Sequence, residues 1–312
     1  MRILISDKTH PRCAEKFRDA GFEVDERPGL SEAERLAMIR NYQGLVIRSA
    51  TKVTAELIEA AENLRVIGRA GAGLDNVDIP SATARHIVVM NTPGQNSNAA
   101  AELAVALMFA LARHLYRACD SLKACRWEKK ALQGREIMGK TLGVLGFGHI
   151  GRLVGDLGRG IKMNVLAYDP YLNDQQIEAL GARPVSLDDL LSRSDYVTIH
   201  VPRTRETTRL INAQTIGQMK DGACLINCSR GGIVDEDALY DALVSGKLSG
   251  AALDVFAVEP PGEHRLLQLE NFICTPHLGA STLEAQINVA EAVADQMIRY
   301  LQEGVAVNAV NT

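Results

Sequence analysis

Short apolar runs alternate with stretches of helical spacing along this chain, and the alternation constrains the fold more than any other feature. In a first series, the apolar runs have the length and composition of buried strands, and the stretches between them have helical spacing. The strand-like runs are 2–6, 44–48, 64–68 and 87–90, and the helical stretches are 13–20, 31–40, 54–61 and 80–86. Strands that alternate with helices predict a parallel α/β sheet, because each parallel crossover returns through a helix.

A second alternating series begins at Thr141. Its strand-like runs are 141–145, 164–168, 196–200, 223–228, 250–253 and 272–274. Within it, 235–245 predicts an amphipathic helix, with Asp235 at its start and Gly246 just past its end. The second series therefore predicts a second parallel sheet.

Two long helices are predicted on either side of the second series. An Ala- and Leu-rich stretch at about 96–123 predicts one long, buried helix, and 282–303 predicts a last helix that stops at Gly304. If the first helix crosses between the two series and the last helix returns, one domain is discontinuous and a cleft separates it from the other. The predicted domains are 1–94 with 283–312, and 95–282.

Composition and charge exclude several classes of protein. The 312 residues include 34 Lys and Arg against 38 Asp and Glu, a net charge of −4, so no basic surface for nucleic acid or anionic lipid is expected. The longest uncharged apolar run, 103–112, is about half of what crosses a bilayer, and Asp7 comes too early for a secretory leader. Six cysteines form no Cys-x-x-Cys pair and no cluster with histidine. The sequence thus predicts no metal site and a reducing, cytoplasmic location.

The strongest local motif follows the strand-like run at 141–145. Gly146-Phe147-Gly148-His149-Ile150-Gly151 is a G-x-G-x-x-G turn that opens a helix, which lets a backbone approach a pyrophosphate closely. The next strand-like run ends in Asp169, and no Arg or Lys follows until Arg183. A carboxylate at this position hydrogen-bonds a ribose 2′-hydroxyl and repels a 2′-phosphate, so the motif predicts NAD rather than NADP.

Three polar residues follow later strand-like runs, where ligands bind in open α/β sheets. Arg230, Glu259 and His277 have the side chains that hydride transfer on an alcohol requires. A histidine paired with a carboxylate can take the hydroxyl proton, and an arginine can stabilise charge on the oxygen. Spacing alone does not bring them together, and a purely structural role for His277 is the alternative.

These segments resemble the D-isomer-specific 2-hydroxyacid dehydrogenases over nearly the whole chain. The matching segments are 46–52, 68–78, 91–93 with Asn96 and 101–103, 139–151, 230–236, 250–256 and 276–282. The resemblance implies a Rossmann-type doubly wound parallel sheet for 95–282, which binds NAD. It implies a smaller, flavodoxin-like α/β domain for 1–94 with 283–312, which binds the substrate.

The resemblance also implies roles for individual residues. The implied catalytic residues are Arg230, Glu259 and His277, with His277 as acid and base, Glu259 fixing its tautomer and charge, and Arg230 on the reacting oxygen. The implied cofactor contacts are Gly146, Gly148, His149, Ile150, Gly151, Asp169, His200, Pro202, Thr207, Cys228, Ser229, Asp254, His277 and Gly279. The implied substrate contacts are Arg48, Ser49, Ala72, Gly73, Asn96 and Arg230.

The function implied by the resemblance is NAD-dependent oxidation of D-3-phosphoglycerate to 3-phosphohydroxypyruvate, a step of serine biosynthesis, by a homodimer. Arg48, Arg69 and Lys52 are candidate cations for the substrate phosphate, and 127–130 resembles a segment that reaches across a dimer interface. The sequence ends at Thr312, so we expect no C-terminal regulatory module. Two alternatives stay open: another D-2-hydroxyacid dehydrogenase or reductase, acting on glyoxylate or hydroxypyruvate, and an NAD-sensing interaction protein.

Two positions depart from the family's pattern. His149 stands where the family often has Arg, and Ala72 replaces a common hydroxyl residue. In both places we expect the backbone N–H groups to make the contact, so neither change excludes the implied role.

Overall fold

The computed structural model describes residues 1–311, and its strands follow the two series expected from the sequence. The strands of the first series are β1 (Arg2–Ile5), β2 (Glu23–Glu26), β3 (Gly44–Ile47), β4 (Val66–Arg69) and β5 (Val88–Asn91). Those of the second series are β6 (Thr141–Leu145), β7 (Asn164–Tyr168), β8 (Arg183–Pro184), β9 (Tyr196–Ile199), β10 (Ala223–Asn227), β11 (Leu248–Leu253) and β12 (Phe272–Cys274).

Helices separate most of these strands. The α-helices are α1 (Arg12–Asp19), α2 (Glu32–Met38), α3 (Ala55–Ala60), α4 (Ile79–Ala84), α5 (Ser97–Ala112), α6 (Leu115–Lys123), α7 (His149–Gly160), α8 (Asp174–Ala179), α9 (Leu187–Arg193), α10 (Ala213–Gln218), α11 (Glu236–Val244) and α12 (Leu283–Glu303). Two short 3₁₀-helices span Ile39–Asn41 and Arg265–Gln268. Several helices begin where the sequence predicts, because Asp235 caps α11 and Thr282 caps α12 through their side chains.

The chain divides into two compact units. The first unit contains Met1–Asn96 together with the chain from Ala280 onward, and the second contains Ser97–Gly279. The boundaries expected from the sequence lie close by, at 94/95 and 282/283.

The first unit has a five-stranded parallel sheet in the order β2-β1-β3-β4-β5, which is the flavodoxin-like order. Alternate strand residues fill two cores, since successive side chains point to opposite faces. Ile3 and Val66 pack with α1 and α12 on one face, whereas Leu4 and Ile67 pack with α3 on the other. A Cβ atom on Gly68 would lie 2.6 Å from Val293 Cγ2, so only glycine lets α12 pack this closely on β4.

The second unit has a seven-stranded parallel sheet in the order β12-β11-β10-β9-β6-β7-β8. Read from β8, this is the Rossmann order, and the strand order reverses between β6 and β9. Helices α5 and α7 cover one face, and α9, α10 and α11 cover the other. The predicted fold class, two parallel α/β sheets of Rossmann and flavodoxin type, is confirmed.

The prediction of one long helix over 96–123 is wrong. The helix ends at Ala112, His114 has the left-handed backbone conformation with φ 50°, and α6 begins at Leu115 at an angle of 63° to α5. The break contains neither Gly nor Pro, so no local signal marks it. It falls where the buried face ends, because α5 packs into the core along most of its length and α6 buries only Ser121.

The sequence patterns also missed two strands, β2 and β8. Each lies at an edge of its sheet, and β2 consists of Glu-Val-Asp-Glu with no residue fully buried. An edge strand needs no continuous apolar run, so its hydrophobic pattern is weak. Within residues 1–311, no single helix is long and apolar enough to cross a membrane. The bent pair α5 and α6 has sufficient length and apolar composition only when the two helices are counted together.

Candidate active site

One edge of the seven-stranded sheet collects most of the predicted cofactor and catalytic residues. Because all its strands are parallel, their carboxyl ends lie at the same edge, where open α/β sheets bind ligands. The residues that follow the strands are Gly146 after β6, Asp169 after β7, His200 after β9, Cys228 to Arg230 after β10, Asp254 after β11 and His277 after β12. The connection that leaves Asp254 carries Glu259.

The three glycines of the β6–α7 turn have different functions. Gly146 has φ 88°, and a Cβ atom there would lie 2.9 Å from the His200 carbonyl oxygen. A Cβ on Gly151 would lie 2.0 Å from the Gly146 oxygen, so packing requires both residues to be glycine. A Cβ on Gly148 would meet nothing within 4 Å, and Gly148 caps α7 without a side chain. Open space and uncapped N–H groups at this helix start fit the pyrophosphate of NAD.

Asp169 connects this turn to the end of β7. Its Oδ2 accepts a hydrogen bond from Phe147 N at 2.8 Å, and its Oδ1 accepts one from Tyr171 N at 2.9 Å. A carboxylate oxygen has about two acceptor sites, so each oxygen keeps one for a ribose hydroxyl. The structure therefore fits the predicted preference for a 2′-hydroxyl over a 2′-phosphate.

His200 lies beside the glycine turn and is electrically neutral near pH 7. Its backbone N–H group donates to Leu145 O at 2.7 Å. In the imidazole ring, Nε2 lies 2.9 Å from Thr198 Oγ1 and Nδ1 is buried without a partner. Burial lowers its pKa from 6.5 to about 3, since the imidazolium would lose its hydration.

The other predicted pyrophosphate contacts differ in what they can donate. His149 is exposed at the start of α7, whereas Ile150 packs against the core and can contribute only its backbone N–H group. Thr207 Oγ1 already donates to Pro202 O at 2.6 Å and accepts from Thr204 N at 2.7 Å. A hydrogen bond from Thr207 to a phosphate would have to replace the bond to Pro202.

The structure brings His277 and Glu259 together. His277 Nδ1 lies 2.8 Å from Glu259 Oε2, and Glu259 Oε1 accepts from Phe256 N at 3.0 Å. His277 has φ 56°, a left-handed conformation that is uncommon for residues other than glycine and carries backbone strain. Hydrogen bonds from His277 N to Asp254 O at 2.9 Å and to Thr275 O at 3.0 Å hold it there.

Asp254 organises the loop that carries His277. Its Oδ1 accepts from Thr275 Oγ1 at 2.5 Å and from Leu278 N at 2.6 Å, and its Oδ2 accepts from Gly279 N at 2.8 Å. Burial raises the pKa of Asp254 above its ordinary value, and these three hydrogen bonds oppose that effect. A carboxylate offers about four acceptor sites, so one remains for the predicted carboxamide contact.

Arg230 is presented by a turn that Asn227 builds at the end of β10. Asn227 is buried, its Nδ2 donates to Arg230 O at 2.9 Å, and its Oδ1 accepts from Ser229 N at 3.0 Å and from Ser229 Oγ at 2.7 Å. Cys228 and Ser229 are buried within this turn, and burial raises the pKa of the Cys228 thiol. The Cys228 thiol is therefore not ionised near pH 7.

In the first unit, the predicted substrate residues also follow strand carboxyl ends. Arg48 follows β3, and its backbone N–H group donates to Asp7 Oδ2 at 2.6 Å. Its Nε is buried without a partner, and burial lowers the pKa of its guanidinium, opposed by Asp7. Asn96, beyond β5, likewise buries an unpartnered Oδ1, whereas Ser49 is exposed. Buried polar atoms usually have a hydrogen-bond partner, so Arg48 Nε and Asn96 Oδ1 are candidates for contact with a ligand.

The turn after β4 presents two backbone donors. Gly71 has φ 144°, and its N–H group donates to Thr92 Oγ1 at 2.8 Å, while Asn91 Nδ2 donates to Ala72 O at 2.6 Å. Within residues 1–311, the N–H groups of Ala72 and Gly73 donate to no other group. Successive N–H groups without a partner can bind an anion, and the predicted carboxylate contact at these two residues stays a prediction.

Comparison with known proteins assigns the family. The family model for the D-isomer specific 2-hydroxyacid dehydrogenase, NAD binding domain, matches residues 105–279. The chain belongs to this family. The prediction of NAD as the cofactor is thereby confirmed, as is the resemblance that the sequence segments carry.

Individual relatives extend the similarity beyond that domain. The chain is 48% identical over 310 residues to a D-3-phosphoglycerate dehydrogenase of Synechocystis. This match covers 99% of this chain and 56% of that protein. A Thermus thermophilus structure, the TT0316 protein, is 34% identical with a TM-score of 0.92 and covers 99% of this chain and 100% of that one. An NAD⁺-bound 3-phosphoglycerate dehydrogenase of Entamoeba histolytica is 29% identical, with a TM-score of 0.85 over 100% of this chain and 99% of that one. The chain spans little more than half the length of the curated relatives it matches, 56% and 59% for the first two.

Sequence reasoning missed two residues that build these sites, Asn227 and Asp7. Asp7 is buried, and besides Arg48 N it accepts from Thr51 Oγ1 at 2.6 Å and Thr51 N at 3.1 Å. Both residues stand at or just after the end of a buried strand. Asn227 accepts from Ser229 two residues later, as short polar side chains there commonly do, whereas Asp7 accepts from the loop after β3. That position was the available signal.

His200 predicts a pH dependence of stability. Its folded pKa of about 3 lies below its ordinary value of 6.5, so between these values the unfolded chain binds more protons. Stability from this group is therefore present above pH 6.5 and is lost as the pH falls. Urea denaturation should show that His200→Gln removes about 2 kcal/mol of the loss that wild type suffers between pH 7 and pH 5.

His86→Asn is the matched control for His200, because His86 is exposed and Asn tolerates its left-handed backbone. This control should keep the wild-type pH dependence. If His200→Gln and wild type lose the same stability, His200 accepts a proton in the folded state.

Proposed function

We propose that the chain catalyses NAD-dependent oxidation of D-3-phosphoglycerate to 3-phosphohydroxypyruvate, the reaction expected from its sequence. The observation that carries the proposal is the His277–Glu259 pair, with 2.8 Å between Nδ1 and Oε2, on the sheet edge that holds the glycine turn. A histidine–carboxylate pair beside a nicotinamide cofactor site is suited to oxidising an alcohol. The relatives named D-3-phosphoglycerate dehydrogenase support this substrate.

The second unit supplies the cofactor site and the proton carrier. NAD, when bound, accepts the hydride from C2 of the substrate. The start of α7 around Gly148 binds the pyrophosphate, and Asp169 accepts from the ribose hydroxyls. The residues after β9, β10 and β11 that the sequence predicts as cofactor contacts complete this site.

His277 takes the proton of the 2-hydroxyl group. Because its Nδ1 is engaged by Glu259, Nε2 is the nitrogen left to face the substrate. The carboxylate fixes this tautomer and stabilises the ring when it becomes charged. In the reverse direction the charged ring returns the proton, and Arg230 stabilises negative charge on the reacting oxygen.

The first unit binds the anionic substrate. The N–H groups of Ala72 and Gly73 donate to its carboxylate, and Arg48 binds its phosphate. Arginine suits this role because its planar guanidinium donates two parallel hydrogen bonds to phosphate oxygens. Asn96 and Ser49 contribute polar contacts to the same ligand.

The cytoplasmic location stays a prediction; it rests on cysteines that remain free thiols.

An NADH-formation assay over a panel of acids tests the proposed reaction. The panel contains 3-phosphoglycerate, glycerate, glycolate and D-lactate, with a coupling step because the oxidation is uphill. His277→Ala should lower kcat by about 10² to 10⁴, the usual contribution of a positioned proton carrier. Its affinity for NAD should stay near wild type, and His86→Asn should keep full activity.

Other outcomes of the panel select other functions. Activity on the unphosphorylated acids alone would support a glyoxylate or hydroxypyruvate reductase. A chain that binds NAD and oxidises none of the acids would support an NAD-sensing interaction protein.

Arg48→Ala tests where the phosphate binds. Loss of a charge-assisted hydrogen bond costs roughly 1.5–3 kcal/mol, so KM for 3-phosphoglycerate should rise about ten-fold or more. KM for glycerate should rise much less, because glycerate has no phosphate. Arg85→Ala, an exposed arginine of the same unit, is the control. Equal increases for both substrates would place the carboxylate on Arg48.

A homodimer is the proposed assembly, and α6 with the segment after it is the proposed interface. Four large apolar side chains are exposed there: Leu115 at 53%, Leu122 at 59%, Trp127 at 81% and Met138 at 64%. Exposed apolar groups of this size near one another mark association surfaces.

Sedimentation should give twice the 33.8 kDa chain mass, and Leu122→Lys with Trp127→Glu should halve it. Val244→Lys, at another exposed apolar position, should not. A monomeric wild type would contradict this assembly.

A further inference from the structure

The connection that carries Glu259 is held by a second histidine–glutamate pair. Glu236, the first residue of α11, accepts from Ala257 N at 2.7 Å through Oε1, and its Oε2 lies 3.1 Å from His264 Nε2. Both side chains are largely buried, at 16% and 22% exposure. Glu236 thus contacts the connection on both sides of Glu259, at Ala257 and at His264.

The backbone of this connection lies directly against the turn that presents Arg230. A Cβ atom on Gly231, the residue after Arg230, would lie 1.8 Å from Phe256 O. The Phe256 ring packs edge-on against His264, with 5.9 Å between ring centroids. A shift of the Phe256–Ala257 backbone toward Gly231 would therefore displace the segment that presents Arg230.

The His277–Glu259 pair cannot by itself hold the connection that carries Glu259 in place. Its side chains are 46% and 38% exposed, and ion pairs at such exposure contribute little to stability. Glu259 Oε1 is bonded to Phe256 N, inside the same connection, so that bond moves with the connection. The position of Glu259 relative to β12 depends on what holds Phe256 and Ala257.

We propose that Glu236 is a positioning residue for the dehydrogenase reaction. Its carboxylate holds the Ala257 amide, and through it Glu259, at the place where Oε2 meets His277. Glu236 itself touches no reacting group in this scheme. A charge-assisted bond to a backbone amide is strong enough to hold a loop, and misplacement of a catalytic group by about 1 Å can cost about a hundred-fold in rate. The inference rests on the proposed function.

Steady-state kinetics with a double-mutant cycle test the proposal. Glu236→Ala should lower kcat roughly ten- to a hundred-fold while the KM for NAD stays near wild type. Glu236→Gln should recover part of the loss, because its amide oxygen still accepts from Ala257 N. In a Glu259→Ala background, Glu236→Ala should cost little more, since the residue it positions is gone. The same fold-loss in both backgrounds would overturn the proposal and leave Glu236 a general structural residue.

Asp241→Ala is the matched control. Asp241 lies on the same helix and pairs with Arg265 at 2.7 Å, but it is exposed and contacts no backbone near Glu259. It should stay near wild type in kcat. A loss equal to that of Glu236→Ala would mean that any weakening of α11 has the same effect, which overturns the specific role of Glu236.

Amide hydrogen exchange separates this inference from the proposed function. Glu236→Ala should speed exchange in a peptide covering 255–259 by at least ten-fold, whereas Asp241→Ala should not. This measurement needs no substrate, so it decides whether Glu236 holds the loop even if wild type oxidises no acid in the panel. Unchanged exchange at 255–259 in Glu236→Ala would overturn the proposal.

Discussion

Parallel strand pairing is the constraint on which the rest of this structure depends. In a parallel sheet every strand runs in the same direction, so the residues that follow the strands all emerge at one edge. In the second unit this places Gly146, Asp169, Arg230, Asp254 and His277 at the ends of five strands of one sheet. Each of these five residues lies in a different loop, and no two of them are close in sequence. The carboxyl edge of the sheet is what collects them.

Short acidic and amide side chains then determine how each loop leaves that edge. Asp169 and Asn227 accept backbone N–H groups of residues two positions later, at Tyr171 and Ser229. Asp7 and Asp254 also follow strands, but they accept backbone N–H groups of a neighbouring loop, at Thr51 and at Leu278. The loop backbone is thereby fixed without a large core of its own, which suits a surface that must bind ligands. Glu236 does the same from the start of a helix, for a connection too long to be held from its own strand end.

Much of the fold and part of the site could be predicted because their signals are local. Buried central strands need continuous apolar runs, and the glycine turn needs glycine where Cβ atoms would clash, at Gly146 and Gly151. The long helix at 96–123 was predicted wrongly because the break at His114 depends on where the buried face of α5 ends. Edge strand β2 was missed because its charged side chains, such as Asp25 bonded to Arg2 of β1, leave it without an apolar run.

The sequence by itself determined the fold class, the glycine turn with its carboxylate at Asp169, and the residue types able to carry out hydride transfer. Only the tertiary structure decided that His277 meets Glu259 at 2.8 Å, that Asp254 shapes the histidine loop, and that Glu236 supports Ala257. Local patterns report what a residue does to its own neighbours along the chain. These contacts join segments 18 to 25 residues apart, and their geometry depends on the strand register and helix packing that bring those segments together.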